Sequence, residues 1–170
     1  MLVIFIRHGT ATAAGRGGDA ARQLTAAGRD EVQATAEGLG AMGVGIDCIL
    51  TSPLLRATES AGIIAKAHGR AAVEAAEFLA PPGDPKACRR HLESLDPKKV
   101  RAVALVGHTP SLEECIGQVV IGARQMGLSL SKAGAACVDL PAGGADRSAE
   151  LRWLLRREQL AMLARAGGDE

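Results

Sequence analysis

The first apolar run of the chain, Leu2-Val3-Ile4-Phe5-Ile6, contains no polar position and stops abruptly at Arg7-His8-Gly9. A strand covered on both faces of a sheet is continuously apolar, so the run predicts a central strand of a parallel sheet. The polar, Gly/Ala-rich stretch from Thr10 to Gln23 predicts a loop at the C-terminal end of that strand. Thr25 is a good N-cap for a helix running to about Met42. Val44 to Thr51 predicts a second strand. Ser52-Pro53 then supplies a cap residue and a first-turn proline for a helix that reaches about Ala67 and stops at Gly69. Ala71 to Glu74 predicts a third strand, Ala80-Pro81-Pro82-Gly83-Asp84 a loop, and Pro85 to Leu95 a helix. Arg101 to Val106 predicts a further strand with Gly107-His108 at its end and Thr109-Pro110 opening the next helix. Ala135 to Leu140 and Ala149 to Leu155 predict a hairpin around Pro141-Ala142-Gly143-Gly144. From Gln159 the tail predicts a short helix fraying at Gly167-Gly168.

Strands alternating with helices imply an α/β fold: three layers, α/β/α, around a mostly parallel central sheet, with the late hairpin adding an antiparallel edge. No repeat or linker interrupts the pattern, and residues 1–170 are expected to form one domain. In such folds ligands bind outside the carboxyl ends of the strands. Arg7-His8, Ser52 to Arg56 and Gly107-His108 all fall at that end of their strands, so three separate segments converge on one place.

The residue types found there point to one chemistry. Imidazole is a nucleophile when neutral, and a guanidinium holds a phosphate through paired, charge-assisted hydrogen bonds. Helix N-termini after Ser52-Pro53 and Thr109-Pro110 favour a bound anion. Arg56, in the first turn of its helix, reaches the same anion as Arg7, and His108 can donate a hydrogen bond. A histidine pKa near about 6.5 leaves much of His8 neutral, and neighbouring arginines disfavour its charged form further. The expectation is a phosphoryl-transfer site made of His8, Arg7, Arg56 and His108. Gly9 is expected to let the backbone turn and to leave room for a ligand. His68 and His91 lie in helical stretches without comparable partners and read as structural.

Composition narrows the partners. Of 170 residues, 47% are hydrophobic and 23% charged, the balance of a globular protein rather than a disordered one. Only Phe5, Phe78 and Trp153 are aromatic, so the core must be aliphatic and a base-stacking surface is not expected. A net charge of +1 gives no general attraction to nucleic acid or to anionic membranes. No apolar run approaches a membrane span, and none reads as a signal-peptide core, so the chain is expected to be cytoplasmic. Cys48, Cys88, Cys115 and Cys137 lie far apart and read as structural thiols rather than a zinc or redox set.

The chain resembles the histidine phosphatase superfamily, the phosphoglycerate mutase-like family. Arg7-His8-Gly9, the stretch Ser52-Pro53-Leu54-Leu55-Arg56-Ala57-Thr58-Glu59-Ser60 and Gly107-His108-Thr109-Pro110 carry the resemblance, in that order. Arg22-Gln23-Leu24-Thr25-Ala26-Ala27-Gly28 adds to it. Length, the piece Leu79-Ala80-Pro81-Pro82-Gly83-Asp84 and the ending Ala149-Glu150-Leu151-Arg152-Trp153-Leu154-Leu155 are similar to phosphohistidine phosphatases of the SixA type. The resemblance implies a hydrolase in which His8 is phosphorylated and then hydrolysed by water. Arg7, Arg56 and His108 would line the phosphate pocket, with Gly9, Thr109 and Arg22 as further substrate contacts. It implies no metal and no cofactor. The substrate would be a protein phosphohistidine, or alternatively a small phosphorylated metabolite taken by the same pocket. A phosphate-binding module without turnover is the non-enzymatic alternative. Many family members protonate the leaving group with an acidic residue after the second helix. Here Glu77 is nearby, but the Pro81-Pro82-Gly83 loop aligns Phe78 with the expected position, and Glu74 is a further carboxylate.

Overall fold

The computed structural model describes residues 1–124, 127–141 and 148–167. In chain order the elements are β1 (Leu2–Arg7), α1 (Ala26–Ala41), β2 (Cys48–Thr51), α2 (Leu55–Ala67), β3 (Ala72–Ala75), a 3-10 turn (Glu77–Leu79), α3 (Pro85–Ser94), β4 (Ala102–Gly107), α4 (Ser111–Val120), β5 (Ala135–Asp139), β6 (Glu150–Leu155) and α5 (Arg157–Ala166). The strands form one six-stranded sheet in the order β3-β2-β4-β1-β5-β6. β1, β2, β3 and β4 pair in parallel. β5 runs against β1, and β6 runs against β5, so β5 alone opposes the common direction. The three-layer α/β/α architecture with a mostly parallel sheet is the one expected. From Ala142 onward, the hairpin turn lies outside the described residues, as does Gly168.

Alternation along the two central strands divides the core. Ile4, Ile6, Ala104 and Val106 face Val32, Ala36 and Leu39 of α1, Ile64 of α2 and Leu160 of α5. Val3, Phe5, Val103 and Leu105 face Cys88 and Leu92 of α3 and Leu112, Cys115 and Ile116 of α4. Both faces of β1 and β4 are therefore buried, which is why their sequences carry unbroken apolar runs. Phe5 is the one aromatic among the largest fully buried side chains, so the core is aliphatic as expected. The four cysteines are free; Cys88, Cys115 and Cys137 are buried. Among the described residues, no helix is long and apolar enough to cross a membrane.

Two local expectations are corrected. The second strand starts at Cys48, not Val44, because the Asp47 carboxylate turns back to accept from the amides of Arg101 and Ala102 at 2.7 and 2.9 Å. Val44 and Ile46 are apolar because they pack on the α1–α2 core, not because they pair in a sheet. Ser52 does not cap α2. That helix begins at Leu55, with Leu54 at the cap position and no side-chain cap bond. Thr25, by contrast, caps α1 as its sequence predicts, its hydroxyl accepting from the Gly28 amide at 2.9 Å.

The topology opens a crevice at one point. β1 leads into α1 on one face of the sheet, while its neighbour β4 leads into α4 on the other. The chain thus departs in opposite directions from adjacent strand ends, the geometry that leaves a ligand site between them. The first turn of α1 presses tightly on the chain leaving β1. A Cβ on Gly9 would meet the Gly28 carbonyl and lie 2.8 Å from Val32 Cγ2, and a Cβ on Gly28 would meet the Thr10 carbonyl. The space beside Gly9 is therefore taken by α1, which gives this glycine a packing reason the sequence did not show.

Gly28→Ala is expected to destabilise the protein by about 1–3 kcal/mol through overpacking against backbone. Gly40→Ala, near the end of the same helix with nothing within 4 Å of the added carbon, should instead stabilise by up to about 1 kcal/mol. Denaturant unfolding of the two variants checks both signs.

Candidate active site

His8 follows β1 directly and is fixed on both sides of its backbone. Its amide donates to the Gly107 carbonyl at 3.1 Å, and the preceding Arg7 amide donates to the Gly134 carbonyl at 3.1 Å. The ring is 8% exposed. Nδ1 donates to the Gly9 carbonyl at 2.7 Å, which places the ring proton on Nδ1 and leaves the lone pair on Nε2. Arg56 Nε donates to that Nε2 at 3.2 Å. Burial, opposed by the Gly9 carbonyl bond and reinforced by Arg56, Arg7 and Arg22, pushes the His8 pKa down to about 4. At neutral pH this imidazole is uncharged.

The other strand ends bring in the expected partners. Arg56, in the first turn of α2, is 5% exposed, and Arg7 sends Nη1 to the Leu130 carbonyl at 3.0 Å. Arg7 Nε is a buried donor with no partner among the described residues. His108, after β4, sets its ring 4.9 Å from that of His8, tilted at 60°. Its Nε2 lies 2.8 Å from Ser52 Oγ, and its buried Nδ1 has no described partner. When the Ser52 hydroxyl donates to Nε2, the proton of a neutral His108 sits on Nδ1, where it can be offered to an acceptor. Burial, with the charges of His8, Arg56 and Arg7, pushes the His108 pKa down to about 3, Asp19 opposing. The Ser52 hydroxyl, expected at a helix cap, meets His108 instead.

The loop after β1 folds over this group. Arg22 Nε donates to the Thr12 carbonyl at 2.6 Å and its Nη1 to Asp19 Oδ1 at 3.0 Å. Asp19 also takes both terminal nitrogens of Arg56, Nη2 on its carboxylate at 2.9 Å and Nη1 on its carbonyl at 2.8 Å. Sequence reasoning missed Asp19. Its spacing from Arg22 suggests only a local ion pair, and nothing in the chain announces a partner 37 positions away. Two further carboxylates hold the frame. Glu31 accepts from the Thr10 amide at 2.8 Å and pairs with Arg157, and Glu59 accepts from the Leu24 amide at 2.6 Å and from Arg29 at 2.8 Å.

The remaining candidates are less engaged. Thr109 is half-buried between His108 and Pro110, and its side chain makes no hydrogen bond among the described residues. Glu77 opens the 3-10 turn after β3, exposed and without a described partner. Phe78 beside it packs its ring 5.3 Å from that of His91, and Glu74 is exposed on the edge strand β3. His68 ties α2 to α1 through the Ala36 carbonyl at 3.0 Å, a structural role as expected. A separate cleft of about 670 Å³, lined by Leu2, Val44, Asp47, Arg101, Ala102 and Trp153 among others, lies toward the amino ends of β1 and β4 and contains none of these groups.

Taken together, a neutral, buried imidazole whose Nε2 lone pair accepts from Arg56 Nε is surrounded by three guanidinium groups that can neutralise an anionic electrophile. Two-bond ¹H–¹⁵N spectra of ring-labelled protein at pH 5.5 should show His8 neutral with its proton on Nδ1, where free histidine is mostly charged. A doubly protonated His8 at that pH would contradict the geometry. The unfolded chain takes up protons on these rings below about pH 6.5 that the folded state refuses down to about 4 and 3. Stability is therefore full above about pH 6.5 and falls as pH drops toward 4. His108→Ala should flatten that slope in thermal melts.

Residues 3–80 match the model of the histidine phosphatase superfamily (branch 1). An uncharacterized protein of Picosynechococcus sp. is 36% identical over 135 residues, spanning 79% of this chain and 82% of that protein. The structure of the protein histidine phosphatase SixA complexed with tungstate superposes with a TM-score of 0.85 at 25% identity, covering 94% of this chain and 99% of that one. The alpha-ribazole phosphatase of Shigella flexneri shares the fold with a TM-score of 0.68 at 17% identity, over 92% of this chain and 98% of its own. The match over residues 3–80, which hold the first two of the three motifs, and the nearly complete structural overlap agree: this chain belongs to the histidine phosphatase superfamily, in its SixA type, and is a phosphatase.

Proposed function

We propose that His8 is the nucleophile of a protein phosphohistidine phosphatase. The observation that carries this is the tautomer: Nδ1–H is committed to the Gly9 carbonyl, so Nε2 keeps its lone pair at the guanidinium cluster. In the first step Nε2 attacks phosphorus, the P–N bond to the substrate imidazole breaks, and that ring, already protonated on its other nitrogen, takes the electron pair and leaves neutral. In the second step a water oxygen attacks phosphorus, the P–Nε2 bond breaks with its electron pair returning to Nε2, and the product leaves as dihydrogen phosphate carrying both protons of the water. Arg7, Arg56 and Arg22 balance the charge of the transferring group, His108 donates to one of its oxygens, and Gly9 and Thr109 hold the chain around it. Dispersed guanidinium donors of this kind act where charge develops in the transition state.

Two observations favour phosphohistidine over a phosphate ester. The overlap with SixA is tighter than that with the phosphoserine phosphatase of Entamoeba histolytica, which reaches a TM-score of 0.67 at 18% identity over 94% of this chain and 98% of its own. Among the described residues, Glu77, the acid candidate of the sequence, is exposed and makes no hydrogen bond, and a general acid contributes about 10²–10⁴-fold where the leaving group needs one. A protonated imidazole leaves without such help, whereas an alkoxide does not.

Intact-mass measurement after rapid mixing with a phosphohistidine protein should reveal one phosphoryl group on the wild type and none on His8→Ala. Arg56→Ala should lose about 10²–10³-fold in kcat/KM. Glu77→Gln should leave phosphohistidine turnover nearly unchanged. A preference for small phosphate esters over the phosphohistidine protein would instead assign a metabolite as substrate, and full turnover by His8→Ala would sink the mechanism.

A further inference from the structure

Asp19 is the one carboxylate between Thr10 and Gln23, and the phosphatase chemistry proposed above gives it no task. Its position is unusual. Its side chain is 58% exposed, yet it reaches in to a guanidinium that is 6% exposed. Asp19 Oδ2 lies 2.9 Å from Arg56 Nη2, its carbonyl oxygen 2.8 Å from Arg56 Nη1, and its Oδ1 3.0 Å from Arg22 Nη1. The next carbonyl, of Ala20, accepts from the Leu55 amide at the start of α2 at 3.3 Å. The outer donors of Arg56, one of Arg22 and the first amide of α2 are thus all turned toward one short stretch of loop.

These are the donors that a phosphoryl group would use. A carboxylate spanning two guanidinium groups through its two oxygens resembles two oxygens of a phosphate held by the same pair. The hydrogen bonds from Arg22 and then Arg56 hold the Asp19 carboxyl below the usual carboxylate range, so it is an anion and not a proton donor here. Asp19 takes one N–H on each terminal nitrogen of Arg56 and sets a negative charge against the guanidinium, so a phosphate arriving there meets fewer free donors and a weaker attraction.

We infer that Asp19 is an internal anion that competes with the phosphoryl group for Arg56 and Arg22 and yields these donors to it when substrate enters. This rests on the phosphatase site proposed above. Two consequences follow from the competition. Free orthophosphate is bound more weakly than the arginine cluster alone would allow, and return of Asp19 after hydrolysis helps expel the product. The bare phosphate ion carries more charge and more acceptor oxygens than a carboxylate, so it wins the exchange, but at reduced affinity.

Calorimetric titration of inorganic phosphate into the wild type, Asp19→Asn, Asp19→Ala and Arg56→Ala tests this. Asp19→Asn and Asp19→Ala should both bind phosphate about fivefold tighter than the wild type, because each removes the carboxylate charge from Arg56 and Arg22 while leaving the backbone carbonyl on Arg56 in place. Product inhibition by phosphate should strengthen by the same factor. Unchanged or weaker binding in both Asp19 variants would overturn the inference and make Asp19 a positioning residue for Arg56. If the wild type binds phosphate and Arg56→Ala does not, that failure concerns Asp19 alone. If neither binds it, the phosphate site itself falls.

Discussion

An imidazole has a free lone pair only while its ring is uncharged, and the placement of His8 keeps its ring neutral. The ring sits at the buried end of a central strand, between adjacent strand ends whose chains leave to opposite faces of the sheet. Burial is the largest influence against protonation, and three guanidinium groups add to it. The Gly9 carbonyl selects which nitrogen keeps the proton. Much of the surrounding structure serves to hold that carbonyl and that ring in register: the Gly107 carbonyl fixes the His8 amide, Ser60 Oγ meets the Gly9 amide at 3.4 Å, and Glu31 fixes Thr10.

Concentrating arginines beside a buried imidazole is destabilising in the absence of counter-charge. The fold supplies that counter-charge from outside the pocket. Asp19 engages Arg56 and Arg22, and Glu113, which accepts from the Leu130 amide at 2.8 Å, acts on Arg7 through space. Among the described residues no carboxylate is placed against His8 itself, where it would raise the pKa of the ring. Charge balance and nucleophilicity are thus separated in space, with the acidic groups on the outer edges of the guanidinium ions.

The fold was legible where burial and pairing coincide. β1 and β4, covered on both faces, have apolar sequences that stop at the strand end, and Thr25 announces α1 through a hydrogen bond made within its own turn. Legibility failed where one residue type serves two purposes. Val44 and Ile46 look like strand and are core packing without pairing, because Asp47 bonds across to β4. Ser52 looks like a cap and is a hydrogen-bond partner of His108. The start of α5 at Arg157 was also invisible, since the Gln159 side chain closes back on the Arg156 amide at 2.9 Å immediately after β6.

By itself the sequence determined that Arg7, His8, Arg56 and His108 stand at strand ends. Apolar periodicity and turn residues act over a few positions, and the rule for parallel sheets then puts those ends on one edge. What only the tertiary structure decided is the state of each group once there. The His8 tautomer, the pairing of His108 with Ser52, the pressure of α1 on Gly9 and the reach of Asp19 to Arg56 depend on distances between segments far apart in the chain. Hydrogen bonds and desolvation act over a few ångströms in space, so no local pattern of residues records them.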